Sequence, residues 1–260
     1  MTVVLHTATY GDSGGRVLFL HGLFGQGRNW TTIAKSLADT HRATVVDLPH
    51  HGRSPWLETF DYLQIADMVA ELIKLHDPAA VVGHSMGGKV AMVLALRHPR
   101  LVSRLCVVDV APVTYPRSQQ FETYIEAMQQ MELGHDATRE EADAALASVV
   151  PDPGVRSFLL QNLRRDAFGW TWQLNLDVLG RDLDRISAWP TAQLGPTRPY
   201  GGPVLWIAGQ ESPYVRADSR SVMRAFFPHV RNVTVKGAGH WVHADRPEVV
   251  TELLRDFTKA

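Results

Sequence analysis

The chain has 260 residues, with 26 Lys and Arg against 27 Asp and Glu and a formal net charge of −1. That balance, without any basic block, leaves no electrostatic footprint for nucleic acid or for an anionic membrane surface. A single cysteine, Cys106, excludes an intrachain disulfide, and no apolar run has the length of a spanning helix or the layout of a secretory leader. One soluble domain in a reducing cytoplasm is expected, long enough to bury roughly 70–75% of its unfolded surface.

In chain order, Gly11-Asp12-Ser13-Gly14-Gly15 predicts a hairpin turn between two early strands, and it lacks the Lys-Ser/Thr ending of a phosphate loop. Val17-Leu18-Phe19-Leu20 is an unbroken apolar run suited to a strand covered on both faces, and it delivers His21-Gly22-Leu23-Phe24-Gly25 at its end. Ala43 to Val46 predicts the next strand and ends at Asp47. The adjacent His50 and His51 read as part of a Pro- and Gly-containing turn, because neighbouring residues seldom ligate one ion and no metal-binding spacing accompanies them. No metal and no cofactor are expected.

Pro78 to Val82 predicts a short buried strand and Met86 to His98 an amphipathic helix, with Gly83-His84-Ser85-Met86-Gly87 between them. A G-x-S-x-G run in that setting describes a sharp strand-to-helix turn. Its glycines remove clashing Cβ atoms and its serine hydroxyl is held out at the helix start, which makes Ser85 a candidate nucleophile. Acyl transfer at such a serine needs two backbone N–H donors for the developing oxyanion. Met86 supplies one by position. Leu23 is the choice for the other, with Phe24 as the alternative.

A serine hydroxyl also needs a general base and an acid that orients it. Of 12 histidines only His229, His240 and His243 lie beyond residue 200, where the chain order nucleophile, acid, base requires the base. His240 follows the strand-like Val230 to Val235 and precedes a final helix opened near Pro247, so it is the candidate base. His229 and His243 read as polar surface residues, and His21 as an organiser of its own loop. For the acid, Asp109 closes the apolar run Leu105-Cys106-Val107-Val108, and Glu211 follows Val204 to Ala208. Asp109 is favoured, because ligand sites in open α/β sheets lie beyond the carboxyl ends of the strands, and Glu211 is the alternative acid.

The strand–helix rhythm stops after Asp109 and resumes near Gly202. Three parts are expected: a first part of an α/β core over 1–110, an inserted helical cap over 111–200, and a second part of the core over 201–260. Helical patterns in the cap cover Ser118 to Leu133, Thr138 to Val149, Gly154 to Arg165 and Leu176 to Ala188. Thr138 and Glu141 have capping-box spacing. Such a lid shapes an acyl pocket. Phe24, Tyr115, Met128, Phe168, Trp170, Trp172 and Trp241 are its expected walls.

The segments His21-Gly22-Leu23-Phe24-Gly25, Asn29-Trp30, Asp47-Leu48-Pro49-His50-His51-Gly52-Arg53-Ser54, Gly83 to Lys89, Val108-Asp109-Val110-Ala111-Pro112, Ser212-Pro213-Tyr214-Val215 and Gly239-His240 together resemble the α/β-hydrolase superfamily, in its YbfF-type esterase group. The resemblance runs from the first strand to the last helix. It implies a mostly parallel sheet with helices on both faces and a Ser-Asp-His triad that falls on Ser85, Asp109 and His240. It also implies hydrolysis of small carboxylic esters and, for some members, acyl-CoA thioesters. Pro49, His50 and Gln210-Glu211 depart from the group's pattern. The same triad serves cofactor-free perhydrolases, C–C hydrolases and a lyase, and a slow-turnover ligand-binding receptor is a further reading on the same fold.

Overall fold

Two N-terminal runs, Thr7–Tyr10 (β1) and Gly15–Leu20 (β2), form strands but do not pair with each other. This computed structural model describes residues 4–167 and 169–259. Both runs pair instead with His41–Val46 (β3), β1 antiparallel and β2 parallel, so the expected hairpin is absent. The reason lies in the glycine loop. Gly11 and Gly14, both at φ 78°, press against the backbone of Ala38, Thr40 and His41, where a Cβ would overlap the carbonyls, and the loop therefore crosses the end of β3.

Between β2 and β3 lies Thr31–Leu37 (α1), and after β3 comes Tyr62–Lys74 (α2), capped by the Asp61 carboxylate on the amides of Leu63 and Gln64. Ala79–His84 (β4), Met86–Arg97 (α3) and Val102–Val108 (β5) follow. The chain then leaves the sheet for Gln119–Gln129 (α4), Arg139–Leu146 (α5), Pro153–Leu160 (α6), a two-stranded ribbon of Leu163–Asp166 (β6) and Gly169–Trp172 (β7), Leu176–Arg181 (α7), Leu183–Ser187 (α8) and Thr191–Leu194 (α9). It returns through Val204–Gly209 (β8), Arg220–Phe226 (α10), Val230–Val235 (β9), Val242–Asp245 (α11) and Pro247–Thr258 (α12). The sheet order is β1-β3-β2-β4-β5-β8-β9, parallel throughout except at β1.

Strand periodicity divides the core into two layers. Leu18, Leu20, Val81, Leu105, Val107 and Trp206 face α2, α3 and the segment inserted between β5 and β8. Their neighbours Phe19, Val82, Cys106, Val108 and Ile207 face α1 and α12. Every residue of α3 from Met86 to Leu96 is buried, so this helix is not amphipathic; it is enclosed by the sheet on one side and by α2 and the inserted segment on the other.

Three further expectations change. The helix expected to reach Arg165 stops at Leu160, because Asn162 turns the chain by donating its side-chain amide to the carbonyls of Leu159 and Phe24, and β6 begins. The helix expected over Leu176 to Ala188 breaks at Asp182, whose carboxylate accepts the amide of Phe60 at 2.8 Å. His243, expected at the surface, is buried in α11 and stacks on Trp30 with ring centroids 4.3 Å apart. The Thr138–Glu141 capping box forms as expected. No helix among the described residues is long and apolar enough to cross a membrane.

Candidate active site

Ser85 occupies the one-residue junction between β4 and α3 at φ 51°, ψ −119°. An ordinary turn cannot connect a buried strand to a buried helix this abruptly. A Cβ on Gly83 would overlap the carbonyl of Gly87, and one on Gly87 would overlap the carbonyls of Leu20 and His21, so both flanking positions require glycine. Among the described residues only Phe24, His50, Ser85 and Asp109 combine a side chain with positive φ, and they lie together at the carboxyl edge of the sheet.

A line of hydrogen bonds runs from Ser85 into the core. His240 Nε2 lies 3.0 Å from Ser85 Oγ, and His240 Nδ1 lies 2.7 Å from Asp109 Oδ2. An ionised carboxylate only accepts, so Nδ1 carries the proton and Nε2 is left to accept from the serine hydroxyl. Asp109 is fully buried at the tip of β5. Its Oδ1 accepts the amide of Gly209 at 2.9 Å, and its Oδ2 also accepts the hydroxyl of Ser212. The ring of Tyr214 stacks on His240 at 4.1 Å. The histidine is thus held at its edge and its face. Glu211 is exposed, and only its backbone amide is engaged here, with Ala238 O; the carboxylate that meets His240 is that of Asp109.

The loop after β2 is set by two neutral histidines. His21 donates Nδ1–H to Gly22 O and accepts the Leu48 amide on Nε2, while His51 donates Nδ1–H to Pro49 O and accepts the Phe24 amide on Nε2 at 3.3 Å. Burial holds both imidazoles below their ordinary pKa, His51 well below. The Phe24 amide is therefore engaged. Leu23 is the residue of this loop that lines both cavities at Ser85. His84 turns away from Ser85 and donates Nε2–H to His240 O at 2.9 Å; burial, then the nearby His243, holds its pKa well below the ordinary value. His243 is lowered to about 3, by burial first and His240 second.

Two small cavities, of about 20 and 60 Å³, meet at Ser85. The smaller is aromatic and aliphatic, with Phe24, Tyr124, Phe158 and Trp241 in its wall. The larger holds Tyr62, Lys89, Tyr115 and Tyr214. Phe121 of α4 borders both and meets Phe24 edge-on at 5.8 Å. Of the expected walls, Phe24, Tyr115 and Trp241 line these cavities and Met128, Trp170 and Trp172 do not. The indoles of Trp170 and Trp172 bond Ala137 O and Met128 O inside the inserted segment. Phe168 lies outside the described residues. Sequence reading passed over Lys89, although a lone lysine four residues after Ser85 in an apolar helix was a visible signal. Phe121 and Phe158 carried none, because their use depends on how the inserted helices fold back over the sheet.

The alpha/beta hydrolase fold family matches residues 15–247. The sn-1-specific diacylglycerol lipase ABHD11 of Mus musculus is 38% identical over 249 residues, covering 93% of this chain and 80% of its own. Esterase YbfF of Escherichia coli is 30% identical over 259 residues, covering 99% of this chain and 98% of its own. Among solved structures, a marine microorganism esterase superposes with a TM-score of 0.93 at 32% identity, covering 98% of this chain and 99% of that one. The chain belongs to the alpha/beta hydrolase fold family, as an enzyme of the ester-hydrolase and lipase type.

Proposed function

We propose that this protein hydrolyses small carboxylic esters through Ser85, His240 and Asp109, with the backbone amides of Leu23 and Met86 as the oxyanion hole. The unbroken hydrogen-bond line from Ser85 Oγ through His240 to buried Asp109 carries the reading. Ser85 Oγ attacks the ester carbonyl as its proton moves to His240 Nε2, and the carbonyl oxygen becomes an oxyanion facing the two amides. Asp109 stabilises the imidazolium. His240 then returns the proton to the leaving alkoxide, and the C–O bond breaks to leave an acyl-enzyme. Water, deprotonated by His240, attacks that ester, and collapse frees the acid and restores Ser85. Serine, imidazole, carboxylate and water supply every reacting group, so the scheme uses no metal and no cofactor.

In this reading residues 1–110 and 201–260 are the catalytic core and 111–200 the cap that dries the site. Phe121 and Tyr124 of α4 and Phe158 of α6, which border the cavities at Ser85, support the assignment. Thioester hydrolysis uses the same acyl-enzyme with a thiolate leaving group. The test is hydrolysis of a chain-length series of p-nitrophenyl and CoA acyl esters. Ser85→Ala is expected to remove nearly all turnover, and Asp109→Asn to lower kcat by about 10⁴-fold through the wrong imidazole tautomer. Glu211→Gln is expected to retain turnover. Wild-type rates in Ser85→Ala, or a collapse in Glu211→Gln alone, would overturn the assignment.

A further inference from the structure

The larger cavity at Ser85 contains one charged group and no opposite charge to match it. Lys89 follows Ser85 by four residues on α3, its amide bonding Ser85 O at 3.1 Å, so the two side chains share one helix face. Helical side chains lean toward the N-terminus, which tilts Lys89 toward the serine. The side chain is 2% exposed. Its ammonium donates to Ser187 O at 2.6 Å and Ala188 O at 2.9 Å and lies 4.9 Å from the centre of the Tyr115 ring and 5.8 Å from that of Tyr62. Two carbonyls account for two of its three N–H groups. Tyr214 is a further titratable group in the cavity wall, and the titratable groups whose rings lie against the ammonium are the phenols of Tyr62 and Tyr115. Each has its hydroxyl committed, to Ile186 O and Tyr214 O, and burial raises the pKa of both.

A buried ammonium without a carboxylate is unfavourable, and an apolar side chain of similar shape would pack the same space at lower cost. Holding the end of α8 does not require a charge. A carboxylate entering the cavity would supply the missing counter-charge and accept the third N–H. We propose that this lobe is a specificity subsite for esters that carry a carboxylate a few carbons from the scissile bond, with Lys89 as the residue that binds it. The inference rests on the hydrolase reading above and names its substrate class.

The test compares matched esters: mono-p-nitrophenyl adipate with its methyl ester, for a carboxylate on the acyl side, and 4-carboxyphenyl butyrate with its methyl ester, for one on the leaving group. The readout is the ratio of kcat/KM for the anionic over the neutral member. In wild type one pair is expected to favour the anion by about 10- to 100-fold, as one charge-assisted hydrogen bond provides. Which pair does so identifies the side of the ester that enters the lobe. In Lys89→Met that ratio is expected to fall to about one, with Lys89→Arg keeping part of it. Burial lowers the Lys89 pKa to about 7, so the wild-type preference should decline as pH rises through that value and be flat in Lys89→Met. A purely structural lysine would slow both members equally and leave the ratio unchanged; that result, or a wild-type preference for the neutral member of both pairs, overturns the proposal. Binding gives a second readout that needs no turnover. Adipate should raise the Tm of Ser85→Ala and not that of Ser85→Ala/Lys89→Met. If wild type hydrolyses no ester, the hydrolase reading fails, while adipate stabilisation that depends on Lys89 still supports the subsite and its absence refutes it.

Discussion

Ser212 donates its hydroxyl to the same Asp109 oxygen that meets His240, and Gly209 N fills the other oxygen. A fully buried carboxylate must have its lone pairs occupied, and these two donors satisfy Asp109 and fix it in rotation. Ser212→Ala is expected to leave the fold intact and to lower kcat by about tenfold, the scale of one hydrogen bond to a charged group. KM should change little. An unchanged kcat for p-nitrophenyl butyrate would show that Gly209 N and His240 hold the carboxylate unaided. The positive φ of Ser85 and Asp109 belongs to the same economy of position: each residue is turned sharply at a strand tip so that its side chain leaves the sheet edge instead of entering a face.

At the scale of elements, the inserted segment is fastened to the loop after β2 through one buried side chain. Asn162, between α6 and β6, donates to Phe24 O at 2.7 Å and accepts from Gln26 Nε2 at 2.6 Å. The ribbon next to it joins the 50–52 turn through Gly52 N to Gln173 O at 2.8 Å and Asn175 N to His50 O at 3.0 Å. Asn162→Ala leaves a buried carbonyl and a buried amide without this partner, at a cost of about 1–3 kcal/mol. For a chain of this size each kcal/mol corresponds to about 2–4 °C of Tm. Because Leu23 precedes Phe24 in the freed loop, kcat/KM should fall together with Tm. A variant with wild-type Tm and activity would contradict this linkage.

Across the whole molecule, the carboxyl edge of the sheet collects neutral buried histidines. His21, His51, His84 and His243 all have lowered pKa values caused first by burial, His243 to about 3. The unfolded chain binds protons at these sites below pH about 6.5, where the folded chain does not. Their stabilisation is therefore complete above about pH 6.5 and is lost as pH falls toward 3. Lys89 acts with the same sign in a higher window, since its folded value of about 7 lies below the unfolded 10.5 and stability rises with pH between them. Wild-type Tm followed by circular dichroism should decline steeply from pH 6.5 to 4.5. His243→Phe, which keeps a ring against Trp30, should have a shallower acid limb. Parallel limbs would remove His243 from the set of groups responsible.

The sequence alone determined the pieces whose signals are local. A continuous apolar run marks a strand covered on both faces, and a serine between glycines, with a strand before it and a helix after, marks a strained turn. For that reason β2, β4, β5, β8 and β9 and the start of α3 are legible within a few residues, as is the return of the sheet after the long insertion. Tertiary structure decided whatever depends on which pieces become neighbours. The Gly11–Gly15 loop looks like a hairpin and is not one, because β3 inserts between β1 and β2. Asp109 and Glu211 both follow buried strands, and although β8 lies next to β9, it is the buried Asp109, turned at positive φ, whose carboxylate reaches His240, while Glu211 is exposed. His243 carries a polar side chain yet lies buried against Trp30, and Lys89, the lone charge in the buried stretch Met86 to Leu96 of α3, lines the cavity beside Ser85. Burial and pairing are set by contacts between residues distant in sequence, from Thr7 with Val46 to Asp109 with His240, and no local pattern of letters records them.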